Sequence, residues 1–414
     1  MALSAKRHFA RRSLLGGALA TAMAAALVVG ETSVPAAAAD VQSRQWYLEA
    51  MRADEMWKTS TGTGIKVVVI DTGVNSSSPS LKGQVLKGFD ASEMDGGATD
   101  DYNGHGTTMA ELIAGTGAGG GLKGLAPEAK IIPMRVSNTE QQNENKVNAF
   151  DVQDAIRAAA DSDAQIISMS FGSDYLQVGE REAVQYAQSK GKLFFAAAGN
   201  NAKKGNKKQY PAAYPEVVGV AAIDRTGKVA DYSQHGDVVD LAAPGNDIPT
   251  WCDNTFKRYC DGDGGTSAAT ALASASAALI WSAHPDWTSN QVLRVMIESA
   301  GRAKGTKAGS VSEYLGHGVI RPNTHLTHGV GKPGDPDINP LTNERTLHTK
   351  TSPTPSAPSS SQDPQAKPDD KAEVAGLGKQ TEDSNQTGLL IGGAAAVVIA
   401  AAAGFAVVRR KRAA

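Results

Sequence analysis

Residues 65–73 read IKVVVIDTG, a β-branched apolar run that stops at an aspartate, a threonine and a glycine. A run without polar alternation predicts a parallel strand that is buried on both faces. Two more runs of this kind, at 164–169 and 193–198, are accompanied by helical patterns at 150–160 and 180–189. Strands that alternate with helices predict an α/β fold with a mainly parallel sheet and helices on both faces.

The two ends of the chain differ in composition from its centre. Residues 1–39 combine a basic start, an apolar run and an alanine-rich stretch, which is the pattern of a cleaved signal peptide. Residues 388–408 are apolar and long enough to cross a bilayer, and the basic tail at 409–414 predicts a cytoplasmic C-terminus. The sequence therefore predicts a single-pass cell-membrane protein with an extracellular globular part. An uncleaved N-terminal anchor and export by the twin-arginine route are the alternatives.

The predicted globular domain covers residues 40–326. Residues 327–387 are rich in proline, serine, threonine and charged residues, which predicts a disordered linker between this domain and the membrane. The 414-residue chain has a net charge of −2, and its basic runs lie at the two termini. The composition therefore gives no reason to expect nucleic-acid binding.

The chain contains only two cysteines, Cys252 and Cys260. In an exported segment, a close pair is more often a disulfide than two free thiols. No other cysteine or histidine lies nearby at ligand spacing, so we predict no metal site there. The acidic loop at 95–101 would suit a structural calcium ion, but solvated acidic loops are commoner, and we predict no cofactor.

Three polar residues lie in glycine-rich surroundings where predicted strands end or predicted helices begin. Asp71 follows the strand at 65–70, His105 lies in NGHGT before a helical pattern, and Ser267 lies in GGTSAA before another. Separately, these residues suit a turn, a helix start and a helix cap. Together they suit nucleophilic catalysis, because a serine hydroxyl needs an imidazole base and the imidazole needs a carboxylate that fixes its tautomer.

Three segments resemble the signatures of the subtilase family of serine proteases, in the family's order along the chain: VIDTG at 69–73, NGHGT at 103–107 and GTSAA at 265–269. The resemblance covers residues 62–321 and implies a subtilisin-like three-layer α/β fold. It also implies a catalytic triad of Asp71, His105 and Ser267.

The same resemblance assigns residues around the triad. AAGN at 197–200 resembles the family segment whose asparagine donates to the oxyanion, which implies that role for Asn200. SMSFG at 168–172 resembles the edge that pairs with substrate backbone. The substrate-binding residues that the resemblance implies are Ser170, Phe171, Gly172, Ala197, Ala198 and Gly199. The chain departs from the family at Ala268 and Ala271, where the usual methionine and proline are replaced, and the lost proline would have favoured helix initiation.

The order of signal peptide, subtilase domain, linker, membrane span and basic tail is similar to that of the mycosins, the membrane-anchored subtilases of type VII secretion systems. This implies a serine endopeptidase that cleaves extracytoplasmic proteins or peptides, with secretion-system membrane proteins as candidate partners. One alternative is a scaffold of a membrane complex with secondary proteolysis, and another is an esterase. The complete triad favours an active enzyme, and the strand-like edge favours peptides.

Residues 40–61 are too few to form an independent pro-domain. We expect this N-terminal extension to pack on the catalytic domain, with Trp46 and Trp57 as its apolar anchors. The enzyme would then be competent without further removal of N-terminal residues.

Overall fold

The computed structural model describes residues 41–346, with the exception of 93, 137–148, 262–263, 303–304 and 308. The predicted signal peptide, the membrane span at 388–408 and the basic tail at 409–414 lie outside these residues. Within the part of the chain that is described, no helix combines the length and the apolar character needed to cross a membrane.

The secondary structure of the described residues alternates between strands and helices. The helices are α1 (Trp46–Ala50), α2 (Ala53–Met56), α3 (His105–Ala114), α4 (Ala149–Asp161), α5 (Val178–Ser189), α6 (Thr266–Ala283), α7 (Ser289–Ser299) and α8 (Pro322–His328), with short 3₁₀ turns at Pro79–Leu81, Ala118–Gly120 and Ala202–Lys204. The strands are β1 (Lys66–Asp71), β2 (Phe89–Asp90), β3 (Lys130–Arg135), β4 (Ile166–Met169), β5 (Leu193–Ala197), β6 (Val218–Ile223), β7 (Leu241–Pro244), β8 (Thr250–Trp251) and β9 (Tyr259–Cys260).

Strands β1 to β7 form one sheet in the order β2-β3-β1-β4-β5-β6-β7, and each of its pairs is parallel. The predicted parallel α/β sheet is therefore confirmed, and the three predicted runs correspond to β1, β4 and β5. Strands β8 and β9 form a separate antiparallel hairpin. Because β1 lies third in the order, residues at its carboxyl end are flanked by β3 and β4.

Both faces of the sheet are covered, and the side chains of β1 alternate between two cores. Val67 and Val69 pack with α3 and α6 on one face, and Val68 and Ile70 pack with α4 and α5 on the other. Helix α6 is rich in alanine and is buried along most of its length, so it lies close against the sheet. Helices α3 and α6 thus share one face.

The N-terminal extension packs on the domain, as predicted. The Trp46 indole N–H donates to the carbonyl of Asn246 at 3.1 Å, and that of Trp57 donates to the carbonyl of Leu125 at 2.9 Å. The fully buried anchors are instead Tyr47 and Met56. The sequence prediction chose the tryptophans, but their N–H groups need polar partners, which keeps both rings at the edge of the core.

The predicted linker begins too early in the sequence. Residues 327–346 are ordered and pack against α7 rather than extending away from the domain. The Asn290 amide donates to the carbonyl of Pro336 at 2.9 Å, and Arg294 donates to the carbonyl of Ile338 at 3.2 Å. Leu341 also packs against the core. The segment packs mainly through hydrogen bonds from side chains of α7 to its backbone carbonyls. Its polar composition does not reveal such bonds, so the sequence prediction missed them.

Candidate active site

Asp71 is the last residue of β1, at the carboxyl edge of the sheet, where functional groups of parallel α/β folds gather. The residue is buried, with 3% of its surface exposed. Its Oδ1 accepts a hydrogen bond from the backbone N–H of Thr72 at 2.8 Å. Oδ2 is buried and has no partner among the described residues. The carboxylate of Asp71 is thus positioned through hydrogen bonds to Oδ1 and not to Oδ2.

His105 is the first residue of α3, which begins after Gly104 at a φ of 93°. Asp101 fixes this helix start. Its Oδ1 accepts from the Thr72 hydroxyl at 2.9 Å and the Gly104 N–H at 2.8 Å, and its Oδ2 accepts from the Thr107 N–H at 2.9 Å. The Asp101 carboxylate therefore joins the residue after Asp71 to the first turn of the His105 helix.

The imidazole of His105 contacts the carboxylate directly. Its Nδ1 lies 2.7 Å from Asp71 Oδ1, so Nδ1 carries the proton and Nε2 is left as the basic nitrogen. Burial by itself would lower the pKa of the imidazole. The charge of Asp71, its hydrogen bond and the charge of Asp101 outweigh burial and raise this pKa above its usual value.

Ser267 lies in the first turn of α6, after Gly265 at a φ of 93°. Its hydroxyl donates to the carbonyl of Ser170 at 3.0 Å, and the Ser170 hydroxyl donates to the carbonyl of Ser267 at 3.2 Å. This reciprocal pair joins the start of α6 to the end of β4. The Ser267 hydroxyl is therefore directed at Ser170 in this structure, and not at His105.

Asn200 follows β5 and faces the same helix start. Its Oδ1 accepts from the Thr266 N–H at 3.0 Å and from the Thr266 hydroxyl at 2.9 Å. These two bonds fix the amide so that Nδ2 remains as the donor. A Cβ placed on Gly265 would lie 3.0 Å from Asn200 Nδ2, so glycine leaves the amide room beside Ser267.

The predicted substrate-binding residues lie on two segments beside Ser267. Ser170, Phe171 and Gly172 follow β4, and the segment 197–199 continues β5, its neighbour in the sheet. Ala198 is fully buried, and its N–H donates to the carbonyl of Val220 at 3.0 Å, so it supports the sheet rather than an open surface. The structure thus brings both segments to the start of α6.

The predicted pair Cys252 and Cys260 forms a disulfide with an S–S distance of 2.15 Å across the β8–β9 hairpin. The hairpin lies against the His105 helix: the hydroxyl of Tyr259 donates to Glu111 Oε2 at 2.7 Å, and the backbone N–H of Trp251 donates to the Thr108 hydroxyl at 3.1 Å. Burial raises the pKa of the Glu111 carboxyl to about 7, although hydrogen bonds from Ser78 and Tyr259 act in the opposite direction and lower this pKa.

The positive charge next to the acidic loop at 95–101 is supplied by the side chain of Arg135. The fully buried Arg135 guanidinium pairs with the carboxylate of Asp90 and donates to the carbonyls of Met94 and Asp95, both at 3.0 Å. No group of three or more histidine, cysteine or acidic residues suited to a metal ion occurs among the residues that the structure describes.

Sequence reasoning did not identify Asp101, Thr266 or Gln209, whose side chain lies against Gly172 and Gly199. Asp101 stands four residues before His105, and Thr266 stands next to Ser267. Asp101 and Thr266 were visible in the sequence beside His105 and Ser267, but their bonds to Thr72 and Asn200 join residues that are 29 and 66 positions apart.

A carboxylate in contact with an imidazole, and a serine at a helix start on the same edge of a parallel sheet, are typical of the class of serine hydrolases. The subtilase family model matches residues 62–318, and the chain belongs to this family. It is a subtilisin-like serine endopeptidase.

Curated relatives and solved structures agree with this family. Thermitase of Thermoactinomyces vulgaris is 36% identical over 241 residues, which cover 58% of this chain and 82% of thermitase. The crystal structure of MycP1 from Mycobacterium smegmatis has a TM-score of 0.58 at 25% identity, covering 70% of this chain and 86% of that one. The MycP3 protease from the type VII (ESX-3) secretion system has a TM-score of 0.57 at 29% identity, covering 68% of this chain and 88% of that one. The mycosin-like proteases are therefore among the structural neighbours of the chain.

Proposed function

We propose that Asp71, His105 and Ser267 are the catalytic triad of this endopeptidase. The observation that carries the proposal is the 2.7 Å contact between His105 Nδ1 and Asp71 Oδ1, at the edge of the sheet where α6 presents Ser267. This contact orients the imidazole and leaves Nε2 as a base. Rotation of the Ser267 hydroxyl away from Ser170 would present its proton to that base.

In the proposed reaction, Ser267 Oγ attacks the substrate carbonyl carbon and its proton passes to His105 Nε2. Asp71 stabilises the imidazolium that forms. The negative oxygen of the tetrahedral intermediate accepts hydrogen bonds from Asn200 Nδ2 and from the backbone N–H of Ser267 at the helix start. His105 then gives the proton to the leaving amine, and water hydrolyses the acyl-enzyme by the same route.

The substrate is an extended polypeptide that lies between the segments 170–172 and 197–199. Both segments continue strands of the sheet and reach the start of α6, the first through Ser170 and Ser267 and the second through Gly199 and Thr266, which supports strand-like binding of a peptide. We further propose that the domain is extracellular, that residues 1–39 direct its export and that residues 388–408 anchor it in the cell membrane. Its substrates are then extracytoplasmic proteins.

We also place the enzyme beside a type VII secretion system. The support is the likeness to MycP1 and MycP3, since the MycP3 structure is described as coming from such a system. A scaffold of a secretion complex, with cleavage secondary, would need the same domain but not its nucleophile.

The test compares the full-length wild-type protein with S267A and with S282A, which removes a hydroxyl at the far end of the same helix. An unfolded protein substrate measures hydrolysis, and rescue of secretion in a strain that lacks the gene measures the cellular role. We expect S282A to match the wild type and S267A to fail in hydrolysis. Hydrolysis by S267A at the wild-type rate would contradict the proposed triad. Rescue of secretion by S267A would favour the scaffold role.

A further inference from the structure

Gln209 fills the space between the two substrate segments. A Cβ placed on Gly172 would lie 2.9 Å from Gln209 Oε1, and one placed on Gly199 would lie 2.8 Å from Gln209 Cγ. The Gln209 side chain is therefore in contact with a glycine on each side. Only 5% of the residue is exposed. On the Gly199 side it is accompanied by Gln234, whose Oε1 would lie still closer, at 1.8 Å, to a Cβ on that glycine.

Several bonds hold Gln209 in this place. Its Nε2 donates to Asp174 Oδ1, and the Asp174 carboxylate also pairs with Lys207 at 3.2 Å. The backbones of Ser173 and Tyr210 exchange hydrogen bonds of 2.9 and 2.8 Å, which tie the end of the β4 segment to the residues around Gln209. Moving Gln209 aside would break its bond to the exposed Asp174 carboxylate and would leave the amide of the buried Gln209 without that partner.

The position of this space identifies which substrate side chain would enter it. Ser267 bonds to Ser170 at one segment, and Asn200 follows Gly199 directly at the other. The carbonyl that is attacked must lie between Ser267 and Asn200. The side chain of the residue that carries this carbonyl, immediately before the cleaved bond, therefore points between Gly172 and Gly199.

We propose that Gln209 closes this pocket, so that the enzyme cleaves after short uncharged side chains such as alanine and serine. This inference rests on the function proposed above. A methyl or hydroxymethyl group needs little of the occupied space. A phenylalanine would bury about 150–250 Å² and would have to displace Gln209 from Asp174.

Peptide p-nitroanilides that differ only in the residue before the cleaved bond test the proposal on the full-length protein. The wild type is expected to have a kcat/KM for alanine at least about tenfold above that for phenylalanine. Q209G opens the space and should shift the ratio toward phenylalanine by about tenfold or more. Q209M keeps the volume but loses the bond to Asp174 that resists displacement, so its preference for alanine should lie between those of the wild type and Q209G.

All rates are normalised to the fraction of enzyme that a small fluorophosphonate labels at Ser267, so that a poorly folded variant does not distort the ratio. A wild type that is labelled but cleaves after phenylalanine as well as after alanine overturns the proposal for Gln209 and leaves the protease intact. An unchanged ratio in Q209G has the same consequence. A wild type that is neither labelled nor active overturns the proposed function itself.

Discussion

At the residue scale, the site depends on two carboxylates that act on one imidazole. Asp71 bonds to His105 Nδ1, and Asp101 holds the turn from which His105 projects. Both carboxylates favour the protonated imidazole and raise its pKa. His105 must be neutral to accept a proton, so the raised pKa shifts the acidic limit of activity to higher pH.

The first prediction concerns this limit. The kcat/KM of the wild type should fall on the acid side with an apparent pKa above the ordinary histidine value of about 6.5. D101N removes one of the charges that raise the pKa, so the acidic limb should move to lower pH, with a lower plateau because the asparagine amide cannot accept from Thr107. D95N, which removes an exposed charge in the same loop, is the control. An acidic limb in D101N that does not move would exclude Asp101 from this role.

The second prediction concerns Asn200. N200A should lower kcat by roughly 10²-fold or more with little change in KM, because the amide binds charge that exists only in the transition state. N201A, the adjacent residue, serves as the control. Steady-state kinetics on one peptide substrate decide the point, and a large rise in KM at unchanged kcat would assign Asn200 to ground-state binding instead.

At the element scale, helix α3 joins the catalytic edge to the disulfide hairpin. His105 opens the helix, and Glu111, two turns further on, is buried beneath the hairpin. Tyr259 and Ser78 donate to the Glu111 carboxylate at 2.7 and 2.6 Å. These contacts fasten the disulfide hairpin to the His105 helix.

The third prediction follows from the buried carboxyl of Glu111. Its pKa is raised to about 7, so the folded state holds a proton that the unfolded state has lost, and stability falls as pH rises from the unfolded pKa through about 7. Y259F removes a bond that lowers this pKa. It should therefore destabilise the protein by about 1–3 kcal/mol at pH 8 and by less at pH 5.

Chemical unfolding of the full-length protein at the two pH values measures this difference. Y175F is the matched control, because the Tyr175 side chain is largely exposed and its loss should change the free energy of unfolding little at either pH. An equal destabilisation by Y259F at pH 5 and pH 8 would show that Glu111 does not titrate in this range.

At the scale of the whole molecule, local sequence predicted the parallel sheet and the positions of Asp71, His105 and Ser267. These positions depend on features that short motifs show: β1 ends at Asp71, and a glycine precedes the helices α3 and α6, which begin at or next to His105 and Ser267. Sequence reasoning failed where long-range bonds decide the outcome. Gln209 reaches Gly172 only in the folded chain, and residues 327–346 pack because side chains of α7 bind their backbone.

The fourth prediction concerns the N-terminal extension, which packs through Tyr47 and Met56. An extension that is part of the core cannot be removed without exposing apolar surface, so the enzyme should be active while it is still attached. Sequencing the N-terminus of the active protein tests this directly. Activity that begins only after cleavage beyond residue 61 would make the segment an inhibitory propeptide.

The central claim, that Ser267 is a nucleophile activated by His105, is tested most directly by fluorophosphonate labelling of the full-length protein, followed by mass spectrometry of the adduct. The account predicts a single adduct on Ser267 in the wild type, and labelling at least about 100-fold slower in H105A because the general base is gone. An adduct on another residue, or labelling of H105A at the wild-type rate, would contradict it.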